Sequence, residues 1–137
     1  MRAVVDTNVL VAGLIRPRGA PGEVLRRLRD AHFVAIVSRP LLEEIEAVLA
    51  RPWLREKYEV DDRDVEALLR LLVLRAELVT PAVPIRRCRD PHDDCFLEAA
   101  VAGAADRIAS GDADLLSLGH HAGIAVVAPA AFVAELD

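Results

Sequence analysis

The chain has 137 residues, of which 53% are hydrophobic, 28% charged and 4% aromatic, and its formal net charge is −5. That length suits one domain spanning 1–137, with a core large enough to need no disulfide or metal staple. The most apolar stretch, Ile124 to Ala134, is shorter than the ~20 residues of a membrane span and is interrupted by Pro129.

The opening Met1-Arg2-Ala3-Val4-Val5-Asp6 puts an acid where a signal peptide keeps its apolar stretch, so a cytoplasmic protein with no membrane association is expected. Ala3-Val4-Val5 reads as a short buried strand. Gly22 to Ala31 reads as a helix with Val24, Leu25 and Leu28 on one face, and Phe33 to Val37 as a second strand. Pro40 to Arg51 is a helix ended by Pro52, and Asp61-Asp62 opens a long helix through about Glu77. Within it, Val65 to Leu74 is apolar almost all round. Such a helix is either central in the core or covered on one face by another chain. Pro81 and Pro84 mark a loop. Asp90-Pro91 looks like an N-cap followed by proline at the first helical position, starting a helix to about Ala102. Arg107-Ile108-Ala109 and Ile124 to Val127 are two more short strands, with His120-His121 between them as a turn. Strands separated by helices predict an α/β domain with a largely parallel sheet.

In such sheets ligands gather at the carboxyl ends of the strands. Asp6 directly follows the first strand, and Asp112 follows Arg107-Ile108-Ala109 across Ser110-Gly111. On the helix after the second strand, Leu41, Leu42, Ile45, Val48 and Leu49 form the apolar face. Glu44 shares a stripe with Leu41 and Val48, Glu43 points away, and Glu46 lies on the other border and is equally allowed by periodicity alone. Asp90 has a structural role as N-cap and Asp93 as an acid of the same cap, which leaves Asp94 with less local work. Asp114 is either an outer acid of the site or a cap for Leu115-Leu116. Carboxylates converging on one cleft repel, and a divalent cation reconciles them. Carboxylate and water ligands suit Mg²⁺ or Mn²⁺, ions that promote phosphodiester hydrolysis. The charge distribution is compatible with this. Residues 1–60 carry a net +2 and residues 61–137 a net −7, so binding to nucleic acid requires a local basic face.

Four segments together resemble the PIN-domain family: Val4-Val5-Asp6-Thr7-Asn8-Val9-Leu10, Ser38-Arg39-Pro40-Leu41-Leu42-Glu43-Glu44-Ile45, Asp90-Pro91-His92-Asp93-Asp94-Cys95-Phe96-Leu97-Glu98-Ala99-Ala100, and Ser110-Gly111-Asp112-Ala113-Asp114-Leu115-Leu116. They look most like the branch of toxins from toxin–antitoxin pairs, relatives of the VapC ribonucleases. The ordered set, covering nearly the whole chain, carries the resemblance more than any single motif. It implies a three-layer α/β/α sandwich with a mainly parallel central sheet, and RNA cleavage dependent on Mg²⁺ or Mn²⁺. Carried over by position, Asp6, Glu44, Asp94 and Asp112 match the four family acids that hold metal and carry catalysis. Asn8 matches the polar residue supporting the first acid, and Ser110 stands where the family often has threonine. Asp93 competes with Asp94 for the third place, and Asp114 shares the fourth. Arg16 and Arg18, after the first strand and its short helix, are candidates for phosphate contact at the cleft rim or belong to a solvated loop. With the apolar helix, the resemblance further implies a homodimer and a cognate antitoxin.

Other chemistries fit less well. A phosphotransferase of the haloacid-dehalogenase type needs Asp-x-Asp, and Asp6-Thr7-Asn8 lacks the second acid. That family and the receiver domains also need a late lysine, whereas the single lysine is Lys57. Cys88, His92 and Cys95 have no usual zinc spacing and no fourth ligand nearby, and both thiols are expected to stay reduced. The remaining alternative is a non-catalytic PIN-like module that binds RNA or protein, and the presence of all four acids argues against it.

Overall fold

The computed structural model describes residues 1–137. Five strands run parallel: β1 (Arg2–Val5), β2 (Val34–Val37), β3 (Ala76–Leu78), β4 (Arg107–Ala109) and β6 (Ile124–Val127). The two-residue β5 (His120–His121) pairs antiparallel with β6. The sheet order is β3-β2-β1-β4-β6-β5. The eight helices are α1 (Thr7–Ile15), α2 (Ala20–Arg29), α3 (Arg39–Leu49), α4 (Pro52–Lys57), α5 (Asp62–Arg75), α6 (Asp94–Ala102), α7 (Ala113–Leu118) and α8 (Pro129–Leu136).

The alternation of side chains along each strand divides the core in two. Ala3, Val5, Ala35, Val37 and Ala109 face one layer, where Leu10, Leu28, Ile45, Leu68 and Phe132 of α1, α2, α3, α5 and α8 cover them. Val4, Ile36, Ile108 and Val126 face the other, under Phe96, Leu97 and Ala100 of α6 and Leu115 of α7. The result is the expected three-layer α/β/α sandwich with a mainly parallel sheet. Gly103 lets the end of α6 approach the sheet, since a Cβ there would stand 2.5 Å from Ile36 Cγ2.

The helix starts follow local chemistry. The Ser38 hydroxyl accepts the Leu41 amide at the head of α3. Asp61 and Asp64 form a reciprocal capping box at the head of α5. Pro52, expected as the terminator of α3, also occupies the first position of α4, where its missing N–H costs nothing. The long helix ends at Arg75 rather than Glu77. Ala76 is already extended and opens β3, which the parallel pairing with β2 draws into the sheet. His120-His121, expected as a turn, forms β5 by pairing with Ala125 and Ile124. The helix expected from Pro91 starts as a 3₁₀ turn over Pro91–Asp93 and becomes α-helical at Asp94. No helix is long and apolar enough to cross a membrane.

On α5, Leu68 and Leu72 are buried while Val73 is 82% and Leu74 69% exposed. The helix therefore packs one stripe into the core and presents Val73 and Leu74 outward, and Leu78 of β3 is exposed as well.

Candidate active site

From β1 the chain crosses to β2 and β3 on one side, and β4 and β6 lie on the other. The connections thus diverge between β1 and β4, and their carboxyl ends border a crevice. Asp6 and Ser110 leave these two strands side by side. The Asp6 amide extends the sheet by donating to the Ala109 carbonyl at 2.9 Å.

Asp6 is 3% exposed. Its Oδ1 accepts the Asn8 amide at 3.0 Å, capping α1, and its Oδ2 accepts the Ser110 hydroxyl at 2.7 Å. Ser110 Oγ accepts the Asp112 amide at 3.0 Å, so the hydroxyl ties both acidic loops together. Burial raises the Asp6 pKa above the ordinary range. The Ser110 hydroxyl and Asn8 amide counteract it, and the Asp112 charge adds to it. Asp112 caps α7 by accepting the Leu115 amide at 3.3 Å. Asp6 and Asp112 therefore both cap the helices that follow their strands, at the same edge of the sheet.

Glu44 lies half-buried on α3, as its stripe with Leu41 and Val48 predicts, whereas Glu43 and Glu46 are exposed. Its Oε2 accepts the hydroxyl of Thr7 at 2.9 Å. Thr7 is itself 3% exposed, at the first position of α1. The residue after the first acid thus fixes the second acid.

Asp93 and Asp94 face different neighbours. Asp93 makes no side-chain cap bond to α6. Its carboxyl pKa is pushed up to about 6, by burial first and then by the negative charges of Asp112, Asp90, Asp6 and Glu44. Asp94 Oδ1 instead accepts the Cys88 amide at 2.7 Å and the Arg87 amide at 3.0 Å. Burial opposes its charge, and the two amides outweigh burial, so its pKa lies below the ordinary range. Helical phase explains the split. Asp93 precedes Phe96, Leu97 and Ala100 by three, four and seven residues, and these pack under the sheet. Asp94 shares its stripe with Glu98, whose Oε2 accepts the Ile85 amide at 3.4 Å. Asp94 thus clamps the preceding loop, while Asp93, expected as part of the cap, makes no capping bond.

Asn8 supports Asp6 through its backbone amide, while its side chain stands exposed. Asp114 is exposed in the first turn of α7 and lines a groove with Asp93. Arg16 and Arg18 are exposed beside Pro17, and neither side chain bonds within the chain or lines that groove. None of Asp6, Glu44, Asp93 and Asp112 is in an ion pair with a basic residue. No three His, Cys, Asp or Glu side chains are drawn together tightly enough to hold an ion as they stand. The acids at this sheet edge nonetheless offer carboxylate oxygens, the donor type suited to a hard divalent cation. Burial pushes the neighbouring thiols of Cys88 and Cys95 up to about 12, so both are protonated at neutral pH.

Sequence reasoning did not single out Thr7, or the Asp94–Glu98 clamp on the loop through Cys88. The i,i+4 spacing of Asp94 and Glu98 was visible, but their partners are backbone amides of a loop without periodicity.

The PIN domain family matches residues 2–114 of the chain. The uncharacterized protein MJ1680 of Methanocaldococcus jannaschii is 32% identical over 118 residues, covering 86% of this chain and 75% of that protein. Among solved structures, VapBC2 from Rickettsia felis, crystallised with a DNA fragment from its promoter, contains a similar fold. That chain matches with a TM-score of 0.59 at 12% identity, over 93% of this chain and 98% of its own.

Proposed function

The chain belongs to the PIN-domain family, and on that premise we propose that it is a metal-dependent endoribonuclease, the toxin of a toxin–antitoxin pair. The observation that supports this reading is the hydrogen-bonded arrangement at the carboxyl ends of β1 and β4, where Ser110 joins Asp6 to the Asp112 backbone and Thr7, next to Asp6, holds Glu44. Asp6, Asp93 and Asp112 would hold Mg²⁺ or Mn²⁺, with Glu44 binding directly or through water. When bound, the ion activates water and stabilises charge developing on the phosphodiester. Ser110 holds Asp6 and the Asp112 backbone in fixed relation. Thr7 fixes one oxygen of Glu44. Asp94 takes no part in binding metal in this reading and acts by positioning the loop through Arg87 and Cys88.

The toxin assignment draws on the likeness to the VapBC2 chain, and its partners are an RNA substrate and a cognate antitoxin in the cytoplasm. The exposed Val73, Leu74 and Leu78 support a homodimer through α5.

Incubation of purified protein with defined single-stranded RNAs in Mg²⁺, Mn²⁺ or EDTA tests the activity. Cleavage in metal, abolished by EDTA and by Asp6→Asn, is the expected result. A retarded RNA band with no loss of full-length RNA in either metal would instead identify a non-catalytic binding module.

A further inference from the structure

The acids explain how a scissile phosphate is engaged but not how the rest of an RNA strand tolerates so negative a crevice. A groove of about 280 Å³ beside them has Asp93 and Asp114 on its lining together with Arg87 and Arg89. Arg86, Arg87 and Arg89 are all exposed. None of the three is in an ion pair, although seven other arginines are.

Their backbone, by contrast, is firmly held. The amides of Ile85, Arg87 and Cys88 donate to Glu98 and Asp94, one turn apart on α6. Pro84 and Pro91 flank the segment and restrict its backbone further. Arg87 Nη1 lies 2.8 Å from His121 Nδ1, which aims the guanidinium toward β5. A loop fixed at three amides that leaves three guanidinium groups without a carboxylate partner is preorganised for an anion. Arginine presents a planar fork that matches phosphate oxygens.

We propose that residues 84–89 are the phosphate-recognition element of the cleft, with Arg87 and Arg89 binding the RNA phosphates that flank the scissile bond and Asp94 and Glu98 positioning the loop. This rests on the ribonuclease reading and assigns backbone binding to a different loop from Arg16 and Arg18. Its sign is distinctive for Asp94. Simple charge removal would tighten RNA binding, whereas loss of the clamp weakens it.

The test is fluorescence anisotropy of a short fluorescein-labelled oligouridylate in EDTA, titrated at several salt concentrations. The double variant Arg87→Ala/Arg89→Ala should bind at least about tenfold more weakly. Its log–log salt dependence should be shallower by about 1.4, two contacts at about 0.7 each on a single strand. Asp94→Ala should also bind more weakly, with a slope close to wild type. Asp93→Asn should bind at least as tightly as wild type. In Mn²⁺ the arginine double variant should raise KM and leave kcat within about twofold.

Wild-type affinity, salt slope and KM in Arg87→Ala/Arg89→Ala would overturn the proposal and leave the nuclease reading intact. So would a loss of affinity that follows Arg16→Ala/Arg18→Ala instead. If the wild-type protein neither binds the oligonucleotide nor cuts RNA in metal, both readings fall.

Discussion

Replacing Asp93 and Asp94 separately distinguishes a cleft acid from a loop clamp. Asp94 Oδ1 accepts two amides at 2.7 and 3.0 Å. A hydrogen bond to a charged group contributes about 1.5–3 kcal/mol. The two share one oxygen, and water reaches the loop once the clamp is gone, so Asp94→Ala should cost about 2 kcal/mol. For a domain of this length that lowers Tm by roughly 6–10 °C. Asp94→Asn keeps an acceptor oxygen without the charge and should cost about 1 kcal/mol. Asp93 makes no capping bond and is opposed by neighbouring carboxylates. Asp93→Asn in EDTA at neutral pH should therefore be neutral or stabilising. Discounted for the solvent that still reaches the group, the gain is at most about 1 kcal/mol. In Mn²⁺, Asp93→Asn should cut RNA at least about 100-fold more slowly, a loss of about 2.7 kcal/mol in transition-state stabilisation. Asp94→Asn should keep kcat within about tenfold. Thermal melts in EDTA beside single-turnover cleavage in Mn²⁺ measure both. The reasoning is refuted if Asp94→Asn abolishes cleavage at unchanged Tm while Asp93→Asn cuts like wild type.

Titration of Asp93 gives a signed pH dependence. Its folded pKa of about 6 exceeds the ordinary carboxyl value. Between about pH 4 and 6 the folded state keeps a proton that the unfolded state has lost, so this group makes stability fall as pH rises through that window. Melts in EDTA at pH 4.5 and 7.5 should show a smaller decline for Asp93→Asn than for wild type. Divalent metal should raise the wild-type Tm, by the equivalent of about 2.7 kcal/mol at 100 times its dissociation constant. Asp6→Asn should gain less, and an equal gain on calorimetry would remove Asp6 from the metal set. Gly22→Ala should destabilise by about 2–3 kcal/mol in denaturant titrations, because its Cβ would stand 2.0 Å from the Pro17 carbonyl oxygen, a backbone atom. If α5 forms a dimer, light scattering of Leu74→Glu should report a monomer at concentrations where wild type is dimeric. Leu74 is 69% exposed, so its melting as a monomer should change little.

Much of the architecture was legible because it rests on short-range periodicity and punctuation. The runs Ala3-Val4-Val5 and Arg107-Ile108-Ala109, each followed within a few residues by an acid, specify buried strands and place Asp6 and Asp112 at one sheet edge. The 3.6-residue period separates Glu44 from Glu43, and Asp61 with Asp64 announces the head of α5. What depended on partners distant in sequence was not legible. Ala76 to Leu78 continue the composition of α5, and only pairing with β2 makes them a strand. Asp93 and Asp94 are identical in chemistry and adjacent in sequence. Their contacts separate only when α6 packs Phe96 and Leu97 under the sheet, which brings Asp94 to the amides of Arg87 and Cys88 and leaves Asp93 without a capping bond. A residue's type and local phase are written in the chain. The group it faces is set by the packing of segments far apart in sequence, which is where the tertiary structure decided this site.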